Sequence, residues 1–262
     1  QFLLQKMNYS KEICLQQNDT VMSRERMFQS AREGYKNLET AFPFIRYRHA
    51  SMKASMFGII GNYVGFQGYY NPFTGEGQVN TAIPNFLQPY VTCHEMAHQT
   101  GIGSESECNF IGFLAAVKNE DVYFQYSAYA NALRYCLGSI AAKDEKLFEQ
   151  LKQKVHPGII ENYRESEAFW KQYDTFIDKA FHAFYDQYLK SNQQEDGIDS
   201  YSKFVDLLIN YYENANPFLM KVTQQSKALF KVGFDGVERR LNHFLIQSAV
   251  SKPKVFFTEL FK

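Results

Sequence analysis

Hydrophobic residues recur at helical spacing along most of the chain, which predicts a mainly helical protein. An early helix is predicted over residues 19–40, with Asp19 or Thr20 as its cap. Aromatic residues repeat at the same spacing in 121–142 and 158–192, and we interpret them as core packing. From Pro84 onward the pattern predicts helices over about 87–100, 104–118, 121–142, 143–154, 158–192, 199–214 and 219–250.

Residues 55–83 show a different pattern, which predicts a β-hairpin. Turn-forming residues occupy 71–77, and the segment 78–83 supplies the second strand. The β-forming residues before the turn are broken by glycines and comprise Ile59, Ile60, Tyr63, Val64 and Phe66. The predicted fold class is therefore α+β, mainly α-helical, with a small antiparallel sheet or hairpin. The irregular segment 41–53 is basic, and the polar segment 191–197 is predicted to be a loop.

The composition is that of a folded globular chain with no strong overall charge. The 262 residues include 28 Lys plus Arg and 28 Asp plus Glu, so neither nucleic acid nor an anionic membrane surface is expected as the main partner. The longest uncharged run, 54–75, is too rich in glycine and polar residues to span a bilayer. The four cysteines form no CxxC pair, which favours buried free thiols. Because the chain starts at Gln1 instead of Met, we expect it to be part of a longer protein.

The charges are unevenly distributed along the chain. Residues 54–117 contain no Lys or Arg but four acids, Glu76, Glu95, Glu105 and Glu107, which gives a local charge of −4. A buried core would explain the missing cations. It would not explain the acids, because buried carboxylates also need a partner or a metal ion.

An HExxH motif lies in this acidic stretch, at His94-Glu95-Met96-Ala97-His98. On a helix, residues i and i+4 share a face, so both imidazoles can bind one ion. The glutamate between them can take a proton from a water on that ion. The motif predicts a zinc site with His94 and His98 as ligands and Glu95 as general base.

Zinc requires a third protein ligand in a catalytic site. The metzincin pattern would place it at Ser104, which cannot serve, so a glutamate ligand of gluzincin type is expected. We prefer Glu105 to Glu107, because a capping box of Ser104 and Glu107 would occupy the latter. Asn109 lies one turn after Glu105, where it could hold a ligand histidine from outside. Gly101 and Gly103 would allow the short connection from His98.

Other residues are candidates for substrate contacts. A strand edge beside the HExxH helix could pair with an extended peptide, with Tyr69, Tyr70 and Asn71 near the cleft. A hydrolase of this type also needs an oxyanion donor. The pattern does not separate four candidates for that role, Tyr126, Tyr129, Arg134 and Tyr201.

Three groups of residues resemble an uncharacterised bacterial family, domain of unknown function 3810. They are the segments 69–76, 92–99 and 105–115, and the segments 124–135 and 200–209 fit as well. The resemblance covers about residues 20–212. It implies a membrane-anchored, zincin-like metallopeptidase whose N-terminal membrane helices lie upstream of this chain. It also implies a soluble domain outside the cytoplasm.

The sequence thus predicts a zinc metallopeptidase domain over 1–212 and a helical extension over 213–262. The expected partner is a peptide or protein substrate, with Zn²⁺ as cofactor. The alternative is a non-enzymatic zincin-like module that serves a membrane protein as a binding or scaffold part. An intact Glu95 favours the enzyme, because a structural site needs no base beside its ligands.

Overall fold

The protein is mainly helical with one small sheet, as the sequence predicts. A computed structural model describes residues 2–17, 21–48, 50–174 and 200–214. Its elements are α1 (Phe2–Gln16), α2 (Arg24–Ala41), β1 (Met52–Ala54), α3 (Gly58–Tyr63), β2 (Gly68–Asn71), β3 (Glu76–Val79), α4 (Gln88–Gln99), α5 (Glu105–Val117), α6 (Val122–Ala141), α7 (Glu145–Lys152), α8 (Pro157–Lys171) and α9 (Ser200–Asn214).

The sheet has three strands in the order β1-β3-β2. Strands β2 and β3 form the predicted antiparallel hairpin, with Gly68 opposite Val79 and Asn71 opposite Glu76. Strand β1 runs parallel to β3, so the sheet is mixed and the prediction of a purely antiparallel one is wrong. Within the described residues, β2 is an edge strand.

The segment predicted as the first strand, around Ile59 and Ile60, is the short helix α3. The side chain of Asn80 explains this difference. Its amide donates to the carbonyl oxygens of Gly58 and Phe66 at 3.0 Å, and to Asn62 Oδ1 at 2.7 Å. These bonds satisfy polar groups of a closed turn inside the protein. Tertiary hydrogen bonds therefore override a local β preference that depends mainly on packing.

The helix boundaries agree with the sequence to within a few residues from α4 to α7 and at α9. Helix α1 was not predicted. Helix α2 starts at Arg24, and its cap is Ser23, whose hydroxyl accepts from Arg26 N. The predicted caps of this helix, Asp19 and Thr20, are therefore wrong. Two predictions lie wholly outside the described residues: the loop 191–197 and the helix 219–250. The same holds for most of the extension 213–262 and for the predicted helix 158–192 beyond residue 174. In the described part this helix ends at Lys171, so the prediction that it continues unbroken is wrong.

Helix α4 lies at the centre of the core. It is buried from Gln88 to His98 and packs against α5, α6, β2 and β3. Two hydrogen bonds fix it, from Tyr35 Oη to the Cys93 carbonyl at 2.7 Å and from Tyr90 N to Ser127 Oγ at 3.0 Å. All four cysteines are free thiols. None of the described helices has both the length and the apolar composition of a bilayer span.

Candidate metal centre

Three side chains of α4 and α5 converge on one point. His94 Nε2 and His98 Nε2 are 3.0 Å apart, as expected for residues one turn apart on a helix. Glu105 places Oε2 at 3.3 Å from His94 Nε2 and Oε1 at 3.8 Å from His98 Nε2. One ligand atom from each residue lies within 4.8 Å of the others, so the group could hold a metal ion.

The short connection from α4 to α5 brings Glu105 to the histidines. Gly101 has a φ of +95°, which a side chain would disfavour, so it permits the predicted reversal. Ser104 is the N-cap residue of α5, but its side chain makes no capping bond and instead contacts Ser106 Oγ at 3.1 Å. The predicted capping box is therefore wrong. Among the described residues, the group that could hold a metal contains Glu105 and not Glu107.

His98 is held by its other ring nitrogen. Nδ1 lies 2.8 Å from the Ile102 carbonyl oxygen, which can only accept, so Nδ1 carries the proton. Nε2 is then an unprotonated nitrogen that faces His94 and Glu105. The thiol of Cys108 lies 3.1 Å from the same Nδ1 and 3.2 Å from the same carbonyl. The sequence did not identify Cys108, because nothing local distinguishes it from another buried cysteine.

Asn109 lies where the ExxxN spacing placed it, beside His94. It is buried, and its Oδ1 accepts a hydrogen bond from Tyr90 Oη at 2.9 Å. Tyr90, on α4, therefore fixes the amide that neighbours His94. The role of Asn109 in orienting a metal ligand stays a prediction. Tyr90, which holds the Asn109 amide by a hydrogen bond, is not among the site residues that the sequence predicts.

Glu95 is completely buried beside the three converging side chains. Neither of its carboxylate oxygens has a hydrogen-bond partner among the described residues. Strand β2 lies directly over it, because a Cβ at Gly68 would stand 2.5 Å from Glu95 Oε1. Only glycine allows the strand to approach this closely. Unpartnered buried carboxylates are rare in folded proteins, so this one is a functional candidate.

Burial without a nearby cation shifts every pKa in this group toward the neutral form. Desolvation lowers the pKa of His94 to about 3 and that of His98 to about 4. It raises the pKa of Glu105 to about 7, against the opposing effect of His98. Burial, and then the charge of Glu105, raise the pKa of Glu95 well above its usual value. The site thus has neutral imidazoles and carboxyls without a counter-charge, which a bound cation would provide.

The other predicted substrate residues differ in their positions. Tyr70 shares the face of β2 that Gly68 turns toward α4, because strand side chains alternate. Asn71 Oδ1 accepts from the backbone of Phe73 and Thr74, so this side chain shapes the hairpin turn. Tyr69 Oη donates to Gln78 across the hairpin at 2.6 Å, on the opposite face.

The oxyanion candidates on α6 lie in the helical core. Tyr129 packs on Phe113 with ring centroids 5.8 Å apart, and Tyr126 Oη donates to Asn162 at 2.7 Å. Burial raises the pKa of the Tyr163 phenol, and the charge of the buried Arg134 nearby opposes this shift only in part. The side chain of Tyr201 lies outside the described part of the chain. Among the described residues, these contacts of Tyr126 and Tyr129 are with the core and not with His94, His98 or Glu105.

Comparison with known proteins identifies a family but no function. No curated protein and no solved structure matches the chain. The family model described as protein of unknown function (DUF3810) matches residues 1–209. The match begins at residue 1, whereas the sequence resemblance was placed from about residue 20. The chain therefore belongs to the DUF3810 family of proteins of unknown function.

Proposed function

We propose that the protein is a zinc-dependent hydrolase of the zincin-like, gluzincin type that cleaves peptide bonds. The observation that carries the proposal is the convergence of His94, His98 and Glu105 around one point, with the unpartnered carboxylate of Glu95 beside it. A structural zinc ion would need a fourth protein ligand, and the group found among the described residues contains three. The buried carboxylate of Glu95 beside them is the base that hydrolysis requires.

The donor set suits zinc. Two imidazole nitrogens and a carboxylate are the protein ligands of a known class of catalytic zinc sites. Ligands about 2.0 Å from one tetrahedral ion lie about 3.3 Å from each other. Two of the three separations, 3.0 Å and 3.3 Å, are close to this value, and the third, from His98 Nε2 to Glu105 Oε1, is 3.8 Å. The Ile102 carbonyl accepts a hydrogen bond from Nδ1 of His98, and such an outer hydrogen bond is usual for histidines that bind a metal.

The ion, when bound, supplies Lewis acidity and activates a water molecule. Glu95 accepts the proton of the attacking water at a carboxylate oxygen and then donates it to the leaving amine. Its carboxylate is completely buried and has no hydrogen-bond partner among the described residues, so it is available for this exchange.

Strand β2 supports a peptide as the substrate. It is an edge strand of the described sheet and lies over Glu95. An extended peptide paired with this edge would run beside the base, and backbone hydrogen bonds would hold it. Tyr70 and Asn71 belong to the same strand and are candidates for substrate contact. The domain limits 1–212, the upstream membrane anchor and the extracytoplasmic location stay predictions.

Metal analysis tests the ligand assignment. After metal-replete preparation, we expect about one zinc per chain, and Glu105→Gln should weaken zinc binding at least about 100-fold. Glu107→Gln is the matched control, two residues away on the same helix, and it should bind zinc as the wild type does. Competition with a chelator measures both affinities. Less than about one-tenth of an equivalent in the wild type, or the reverse ranking of the two variants, would contradict the assignment.

Replacement of Gly68 tests the contact between β2 and the base. An alanine Cβ would lie 2.5 Å from Oε1 and 2.8 Å from Cγ of Glu95, so the carboxylate must shift. We expect Gly68→Ala to keep its zinc and lose about 100-fold in kcat, the usual cost of a displacement of about 1 Å. Gly61→Ala is the control, because its methyl would meet Phe66 at an ordinary 3.6 Å. A kcat equal to that of the wild type would exclude this contact from catalysis.

A further inference from the structure

We infer that helix α3 forms a lipid-binding surface that inserts apolar side chains into a bilayer interface. The surface, called here the α3 patch, consists of Met56, Phe57, Ile59, Ile60 and Tyr63. The first four are between 58% and 90% exposed, and Tyr63 is 41% exposed. Contiguous exposed apolar residues of this size are unusual and mark interaction sites. This inference does not depend on the proposed hydrolase activity.

The local sequence favours lipid as the partner. No charged residue occurs between Ala54 and Gly75, so the α3 patch has no charge to desolvate on insertion. There is also no acid between residues 40 and 75, while Arg46, Arg48 and Lys53 lie in that stretch and give it a formal charge of +3. Arg46 is 3.6 Å from Glu39, and Lys53 pairs with Glu76. Two of the three cations are therefore paired with acids that flank the stretch, and Arg48 is the cation that suits an anionic headgroup region.

The size of the α3 patch argues against a protein partner. Helix α3 has six residues, and the patch has five side chains. A standard protein interface needs about 20–30 residues on each side. Insertion into a bilayer has no such minimum, because each buried methylene contributes by itself. Tyr63, at the border of the patch, packs its ring on Tyr173 with centroids 5.0 Å apart, and tyrosine is typical of the membrane–water boundary.

A short segment connects α3 to the strand that covers the candidate base. Residues 64–67 connect α3 to β2, whose first residue, Gly68, contacts Glu95. A bilayer bound to α3 would therefore lie close to the strand that covers the candidate base. Peptide segments near a membrane surface would be the substrates that reach the site.

Vesicle flotation with the whole chain tests the inference. We expect the wild type to float with phosphatidylcholine vesicles that contain phosphatidylglycerol, and less with phosphatidylcholine alone. Ile59→Glu and Ile60→Glu should each reduce the bound fraction at least about tenfold, because one buried isoleucine contributes that much. Val21→Glu is the control, since Val21 is 68% exposed against 67% for Ile59 but lies outside the patch. Ile60→Ser gives the same comparison without an added charge.

Two further measurements separate lipid from other partners. An Ile60→Trp variant should shift its emission to shorter wavelength when the anionic vesicles are added, while the buried Trp170 gives a constant background. Sedimentation velocity without lipid should show no self-association of the wild type through the α3 patch. Ile60→Glu should therefore leave its sedimentation coefficient unchanged. The inference fails if the wild type does not float, if Ile60→Glu and Ile60→Ser float as well as the wild type, or if such self-association occurs.

Discussion

Glu95→Gln is expected to abolish peptide hydrolysis while zinc stays bound. Glutamine has the shape of glutamate, so it can occupy the same space beneath Gly68, but its amide cannot accept the proton of the attacking water. General-base catalysis contributes about 10²–10⁴-fold, and kcat should fall by at least that factor. Single-turnover cleavage of a quenched fluorescent peptide library measures the rate, and elemental analysis measures the zinc.

Glu107→Gln provides the comparison for this experiment as well. It removes one carboxylate from the same acidic stretch but not from the group around His94 and His98. It should keep both zinc and activity. A fully active Glu95→Gln would show that another group takes the proton. A wild type that binds zinc but cleaves no peptide would favour the alternative of a non-enzymatic module.

The centre of the candidate site could be predicted because its determinants are local. The spacing of His94 and His98 specifies their common helix face, and the structure places the two Nε2 atoms 3.0 Å apart. Glu105 was preferred partly for a wrong reason, since Ser104 makes no side-chain cap. The preference nevertheless agrees with the structure, because the reversal at Gly101 directs the first turn of α5 toward the histidines.

The parts that could not be predicted depend on contacts distant in sequence. Asn80 closes the turn of α3 through Gly58 and Phe66, so a segment with β preference becomes helical. The parallel pairing of β1 with β3 requires a crossover that no local pattern indicates. Gly68 contacts Glu95, although the whole hairpin lies between these two residues in the sequence.

The α6 candidates for an oxyanion donor show what helical periodicity does not predict. Helical periodicity groups side chains by face, but it does not say which element each face meets. The structure turns Tyr129 toward Phe113 and Tyr126 toward Asn162. Both phenols therefore belong to the core between helices. The identity of an oxyanion donor stays a prediction, and Tyr70 on β2 is one of its candidates.

Gly112→Ala is expected to destabilise the protein and to disturb the metal site together. The added Cβ would lie 2.8 Å from the backbone nitrogen of His94 and 2.9 Å from its Cα. Both are backbone atoms of a buried helix, which cannot rotate away as a side chain can, so α5 must separate from α4. We expect the free energy of unfolding to fall by about 3 kcal/mol or more, at the upper end of overpacking effects.

The same displacement carries Glu105 away from the histidines, because Glu105 begins the helix on which Gly112 lies. Gly112→Ala should therefore bind zinc more weakly even at temperatures at which it is fully folded. Gly158→Ala is the control, since its methyl would meet two side chains and no backbone atom, Lys11 at 3.1 Å and His156 at 3.2 Å, and alanine favours a helix. Denaturant unfolding and chelator competition on both variants measure the two effects. A Gly112→Ala protein within about 0.5 kcal/mol of wild-type stability, with unchanged zinc affinity, would show that α4 and α5 can separate without disturbing the site.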